Sequence, residues 1–212
     1  MRILERMPGD ARIINSRGVP GTVGFLAIIP HEAVAVLVTS HHVLFGAGAG
    51  AGQPVWLDDD GSGDTGGHRL LGHTGYGTLG TVSCDGAEYH VDCAVARLDS
   101  SWLGTARMTT APAALGAVVT KTGAATGTTV GVVVDTAHSD MASIDDHPWP
   151  TPRQLLVAPR AGAFSAEGDS GALLRDQSGS AIGLLWGTTA RGEGVACHIR
   201  PVLKTLGVVP YA

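Results

Sequence analysis

Ser170 stands in the stretch Glu167-Gly168-Asp169-Ser170-Gly171-Ala172, with one glycine two residues before it and another directly after it. Glycines on both sides leave room for a substrate to approach the hydroxyl. Their tolerance of positive φ also lets neighbouring N–H groups converge into a nest able to hold an oxyanion. The chemistry this suggests is attack on a carbonyl carbon with a covalent intermediate. A serine is a weak nucleophile and needs a neighbouring base, usually a histidine, and the histidine needs an acid to fix its tautomer. Gly, Asp and Ser are also the commonest turn residues, so the stretch alone reads equally well as a hairpin turn. The rest of the chain decides between the two.

A base and an acid are both on offer. The apolar run Val34–Thr39 ends in Thr39-Ser40-His41-His42-Val43, and Asp92 opens the apolar run Asp92-Cys93-Ala94-Val95-Ala96-Arg97-Leu98. With nine histidines in the chain, one near a strand end says little by itself. The order is His42, Asp92, Ser170. An α/β-hydrolase elbow is disfavoured, because Ala172 stands where its second glycine belongs and its order would be Ser, Asp, His.

The elements that must position these residues are short strands. The sequence holds 31 glycines and 11 prolines, which predict many turns. In the first half, strands are expected over 22–29, 34–39, 54–57 and 89–98, with a hairpin from 68 to 82. In the second half they are expected over 117–123, 128–134, 154–157, 172–174, 180–187 and 194–199. The Gly/Ala run 46–52 and the proline-bearing stretch 138–152 read as loops, and 102–112 as a connector. A short helix should close the chain, with Pro201 in its first turn, Val202, Leu203 and Leu206 on its apolar face, and Gly207 at C′. The expected fold is all-β: two six-stranded antiparallel β-barrels and a short C-terminal helix. The first lobe, 12–105, carries His42 and Asp92, and the second, 113–212, carries Ser170 and the helix.

These pieces together resemble the chymotrypsin-like, trypsin-fold serine peptidases. The resemblance is carried by Val38-Thr39-Ser40-His41-His42-Val43, by Asp92–Leu98 and by Gly168-Asp169-Ser170-Gly171. Leu184-Leu185-Trp186-Gly187 is similar to the family's strand that pairs with a bound peptide. The likeness is nearest to bacterial members without the disulfides. It implies Ser170 as nucleophile, His42 as general base and Asp92 as orienting acid, with the oxyanion hole made by the N–H groups of Gly168 and Ser170. The family places the base three residues after the threonine, which selects His42 over His41. In animal members the acid at Asp169 pairs with a freshly cut N-terminus. Here Met1 stands about 20 residues before the first expected strand, which speaks against that switch and leaves open what holds the turn.

The same resemblance puts the base of the substrate pocket at Phe164 and its walls at Ser165, Glu167, Leu185, Trp186, Gly187 and Gly194. A phenylalanine there argues against a deep pocket for basic side chains and favours small or medium apolar ones. Glu167 could attract a basic residue, or be a solvated loop charge. The implied function is a serine endopeptidase that needs no cofactor and no metal. The alternative is a latent or inactive binding domain on the same fold, regulated by a partner protein.

Composition narrows the field. Fourteen Lys/Arg against 19 Asp/Glu, with no basic run, argue against nucleic acid as a partner. Hydrophobic content of 44% and a mean hydropathy of +0.18 describe a chain that folds around a core. No apolar run reaches the roughly 18 residues that a membrane-spanning helix needs. No signal-peptide pattern opens the chain, so the expected location is cytoplasmic. Three cysteines, an odd count, make no disulfide framework and read as small core residues. Asp58, Asp60, Ser62 and Asp64 alternate as at the start of a calcium loop, but Arg69 occupies its twelfth position, so the stretch reads as a solvated acidic turn.

Overall fold

The computed structural model describes residues 11–58, 68–99, 108–144 and 147–211. The N-terminal arm, most of the acidic turn and the first part of the connector lie outside the described residues. In chain order the elements are β1 (Arg12–Ile14), β2 (Pro20–Thr22), β3 (Phe25–Ile29), β4 (Val34–Thr39), α1 (His41–Phe45), β5 (Pro54–Leu57), β6 (Arg69–Cys84) and β7 (Ala87–Leu98). They continue with β8 (Val118–Gly123), β9 (Gly127–Ile144), β10 (His147–Pro159), β11 (Leu173–Asp176), β12 (Ala181–Thr188), β13 (Gly194–His198), α2 (Ile199–Leu206) and β14 (Val209–Tyr211).

Two antiparallel sheets result. The second closes into a six-stranded barrel in the order β10-β13-β12-β11-β8-β9. The first has eight strands rather than six, in the order β14-β3-β4-β7-β6-β5-β1-β2. β1, β2 and β14 are the unexpected members, the last crossing back so that Val209–Tyr211 pair with Leu26–Ile28, while the two strands expected over 68–82 are one.

Burial explains the strand sequences. β4 is apolar at nearly every position because both its faces are covered. Leu37 points into the first sheet's own core with Ile13, Val43, Leu44 and Val55. Val36 and Val38 join the seam between the sheets, with Val91, Cys93 and Val95 of β7 and Leu173, Leu184, Cys197 and Val202 from the second half. A third cluster, including Val119, Leu155, Phe164, Leu174 and Ala196, fills the barrel. Burial of this seam, at about 25 cal/mol per Å² of apolar area removed from water, favours the two sheets packing together. All three cysteines are buried and free.

Three expectations are corrected. The stretch 68–82 is not a hairpin: Arg69–Cys84 is one long strand, and the chain reverses at Asp85-Gly86, both with positive φ. Glycines within β6 permit close approach rather than turning, since a Cβ on Gly72 would lie 1.8 Å from the Arg97 carbonyl oxygen. The stretch 138–152 is not a loop either, because β9 and β10 pair along it as a hairpin arm, with Thr151 opposite Asp140 and Pro150 opposite Met141. Pro148 and Pro150 alternate along β10, so their missing N–H groups face one edge and the ladder to β9 can form from the residues between, while Pro152 falls in the register shift between Thr151 and Gln154. The expected helix is α2, which begins at Ile199, buries Ile199, Pro201, Val202 and Leu206 and ends with Gly207 at φ 63°, but it does not close the chain, because β14 follows and pairs with β3.

Gly72→Ala tests the close packing of β6 on β7. The extra methyl should cost about 1–3 kcal/mol through forced backbone shifts, read as a lower urea midpoint with an unchanged m-value.

Candidate active site

The strand β4 delivers His42 to the site. It ends at Thr39, Ser40 stands at the N-cap position of the single turn of α1 with its hydroxyl turned to the Leu185 carbonyl, and Val43 and Leu44 anchor that turn in the first sheet's core. Asp92, from the middle of β7, lies beneath it with 1% of its surface exposed. Its Oδ2 sits 2.5 Å from His42 Nδ1, and its Oδ1 accepts the His42 backbone N–H at 3.1 Å. One carboxylate therefore fixes both the ring and the backbone of the same residue. With Nδ1 engaged, the neutral ring presents Nε2 as its acceptor. His41 instead stacks on Phe45, ring centroids 4.7 Å apart.

The electrostatics agree. Burial works against the charged ring of His42, but the charge and hydrogen bond of Asp92 outweigh it and hold its pKa above the ordinary histidine value. Burial would likewise raise Asp92, yet the charge of His42 and its two hydrogen bonds keep the carboxyl below the usual range. The backbone N–H of Asp92 donates to Cys197 Sγ at 3.2 Å, a contact that the sequence did not suggest.

Ser170 arrives from the second half of the chain on a turn that the first half clamps. Thr22 of β2 donates its N–H to the Ser170 carbonyl at 2.8 Å and its hydroxyl to the Gly168 carbonyl at 2.8 Å. Gly171 has φ 96°, and a Cβ there would lie 2.0 Å from the Thr39 hydroxyl and 2.3 Å from the Thr22 carbonyl. Gly168 has φ 95°. The Asp169 carbonyl accepts from Ala172, which turns the opposite side of that peptide, the Ser170 N–H, the other way. Neither the Ser170 nor the Gly168 N–H donates to a protein group among the described residues. The Ser170 hydroxyl donates to the Trp186 carbonyl at 3.3 Å, and no hydrogen bond joins it to His42 among the described residues.

Asp169 is the buried keystone of this turn. Its carboxylate accepts from Lys121 Nζ at 2.8 Å, and both side chains are fully buried. It also takes the N–H groups of Ala125, Thr126 and Ala166 and the Thr126 hydroxyl. Lys121 in turn reaches Thr126 and the Gly127 carbonyl. Burial alone would raise the Asp169 pKa, but these donors, Lys121 first, bring it below the usual carboxylate range. A Cβ on Gly123 would strike the same carboxylate at 2.4 Å.

The expected substrate-binding residues divide into two groups. Glu167 is exposed, and Trp186 and Gly187 are half-buried, so all three reach the surface. Ser165 is 2% exposed, with its hydroxyl 2.6 Å from that of Thr188. Phe164, Leu185 and Gly194 are buried. The Phe164 ring packs against Gly194 and Gly131, where any Cβ would meet it. Leu185 turns its side chain into the barrel core, and its N–H and carbonyl are engaged by Ala172, Gly171 and the Ser40 hydroxyl. A cavity of about 290 Å³ lies beside Trp186 and Gly187, walled by His138, Asp140, Met141 and Thr151 of the β9–β10 arm. Reading that arm as a loop hid this wall. Of the acidic turn, Asp58 is described and is paired with Arg12 at 2.8 Å; the other acids fall outside the described residues. No group of three or more His, Cys, Asp or Glu side chains suited to a metal occurs among the described residues.

Solved structures place this architecture. Over 96% of the chain and 99% of the other, it superposes on a glutamic acid specific serine protease with a TM-score of 0.69 at 20% identity. The fold is that of the chymotrypsin-like bacterial serine proteases. Nocardiopsis protease matches at a TM-score of 0.66 and 16% identity, over 97% of this chain and 99% of that one. Thermobifida fusca protease A matches at 0.64 and 18%, over 97% and 98%. No protein-family model matches the sequence, and no curated protein does.

Lys121→Met should lower stability at neutral pH by about 3–5 kcal/mol, because it leaves the Asp169 charge buried without its cation. Lys121→Met combined with Asp169→Asn should recover part of that loss. The native Asp169 carboxyl is held below its unfolded value of about 3.9, so the pair's contribution is present above that pH and is lost as pH falls through the folded pKa. Urea titrations should accordingly show the gap between wild type and Lys121→Met narrowing in acid.

Proposed function

We propose that the chain is a serine endopeptidase acting through an acyl-enzyme. The observation that carries this reading is the Asp92–His42 couple, 2.5 Å between Oδ2 and Nδ1, standing across the sheet seam from a glycine-flanked Ser170. Ser170 is the nucleophile in this reading and His42 Nε2 takes its proton. Asp92 holds the tautomer and stabilises the imidazolium without itself taking the proton. The unengaged N–H groups of Gly168 and Ser170 would receive the oxyanion of the tetrahedral intermediate, then His42 would return its proton to the leaving amine. Water repeats the sequence on the ester, with His42 again as base. No step needs a cofactor.

The substrate is a protein or peptide lying along Trp186-Gly187. With Phe164 packed against Gly194, the first side-chain subsite suits a small or medium apolar group rather than a long basic one. Ser170 must leave the Trp186 carbonyl and turn to His42 for attack. Catalytic hydrogen bonds often form only once substrate is bound.

That resting hydroxyl also supports a second reading, a latent domain on the same fold that becomes competent when a partner or substrate reseats Ser170. A fluorophosphonate separates the two. The endopeptidase reading expects a covalent adduct on Ser170 in the isolated protein, found by mass spectrometry of the peptide carrying it. Folded protein that stays unlabelled would count for latency.

Ser170→Ala should abolish peptide hydrolysis while leaving the urea midpoint close to wild type. Because His42 must be neutral to act as base and its pKa is raised, kcat should climb with pH through a midpoint above about 6.5, the unperturbed histidine value. A kcat profile flat from pH 5 to 8 would contradict His42 as the base.

A further inference from the structure

His90 is a buried histidine that the proposed chemistry does not use. It lies two residues before Asp92, on the same face of β7, and is 0% exposed. Neither ring nitrogen has a hydrogen-bond partner among the described residues. A buried imidazole with both nitrogens unpaired costs stability relative to an apolar ring of the same shape, so its neighbours matter. Its ring lies against the indole of Trp186, centroids 5.0 Å apart and planes tilted by 50°.

Trp186 is held from a second side through the same residue. Its Nε1 donates to Gln154 Oε1 at 2.6 Å, and Gln154 Nε2 donates to the His90 carbonyl at 3.1 Å. Gln154 is itself fully buried. His90, Gln154 and Trp186 thus form a closed ring of contacts linking β7, β10 and β12. Trp186 lines the cavity beside the substrate groove, and its carbonyl holds the Ser170 hydroxyl. Whatever seats the indole therefore sets the groove wall, while the Ser170 hydroxyl rests on the backbone of the same residue.

We infer that His90 is a positioning residue for peptide binding, seating Trp186 while its imidazole is neutral and releasing it when protonated. The inference rests on the endopeptidase reading for its kinetic consequence, though not for the His90–Trp186 coupling itself. The neutral ring tolerates the dry site by stacking. The protonated ring would carry a charge and two donors where no acceptor meets them. The titratable group that acts on the ring is Asp92 on the same strand, which itself meets His42 of α1 and Cys197 of β13, while Arg153 of β10 lies over the ring of the preceding residue, Tyr89. β6 sets Thr81 opposite His90, and β12 contributes the indole. Burial of the ring dominates over the attraction of Asp92, so His90 titrates below the ordinary histidine value, whereas His42 titrates above it. Loss of peptide binding and loss of general-base action should therefore separate along the pH axis.

Two measurements test this. In the Ser170→Ala protein, which cannot digest itself, tryptophan fluorescence should show an acid transition below about pH 6.5. Adding His90→Phe or Trp186→Phe should remove it. A transition unchanged in Ser170→Ala/His90→Phe would overturn the inference. In the active protein, with a fluorogenic peptide that it cleaves, KM should rise in acid over the same range as the fluorescence change. His90→Ala should raise KM at pH 7.5 by about tenfold, the upper end for loss of an aromatic pair, with kcat nearly unchanged. His90→Phe should restore KM and abolish its acid rise, leaving the acid limb of kcat in place. If KM keeps its acid rise in His90→Phe, the positioning role fails. If the wild type cleaves no peptide while the fluorescence transition depends on His90, the endopeptidase reading fails and the coupling stands.

Discussion

The buried pair between Lys121 and Asp169 is the constraint on which the rest of the site depends. Two opposite charges with no exposed surface survive only if each is fully satisfied, and both are. Lys121 shares its three protons among a carboxylate, a hydroxyl and a carbonyl, and Asp169 collects three backbone N–H groups besides. Those N–H groups come from Ala125, Thr126 and Ala166. The pair therefore ties the β8–β9 turn to the loop that carries Ser170. The cation that meets this acid comes from within β8.

A second layer of constraint comes from the other sheet. Thr22 and Thr39 enclose Gly171 so closely that only a glycine fits, and Thr22 fastens the carbonyls of both Gly168 and Ser170. His42 and Asp92 belong to the same sheet as those threonines. The turn that carries Ser170 is thus referenced directly to the sheet that carries His42, across a seam made of Val36, Val38, Val91, Leu173 and Leu184. The proposed reaction would tolerate positional errors of well under an ångström, and a packed seam with such crossing hydrogen bonds is a physical means of meeting that tolerance between separate sheets.

The region around Trp186 is held differently. Its indole is braced by Gln154 and His90, and the carbonyl of the same residue is the resting place of the serine hydroxyl. The groove wall is therefore built on a polar, titratable support, whereas the serine turn is locked by an ion pair. The β9–β10 arm adds a further wall on the far side of the indole.

The strands and the order of the reactive residues were legible in the sequence because they obey local rules. An apolar run buried on both faces reads the same whatever packs on it, as in β4. A histidine closing such a run, an acid opening another and a serine between glycines are signatures of type and spacing. Lys121 left a trace as well: β8 buries alternate residues, Val119, Lys121 and Gly123, so a lysine stood at an inward position of an apolar strand. The charge it would meet was not visible, because Asp169 lies far along the chain and burial of a cation is decided by its partner. Thr22, Gln154 and His90 gave no local signal at all, since their roles consist of contacts between sheets. Prolines and glycines misled where they usually inform. Those of β10 fit one edge of a long arm and those of β6 permit close approach to β7, and only the pairing partner distinguishes either case from a loop. The sequence by itself determined which residues could do the chemistry, through periodicity and turn preference. Only the tertiary structure decided what holds them in place, because those forces act between residues that the chain brings together on folding.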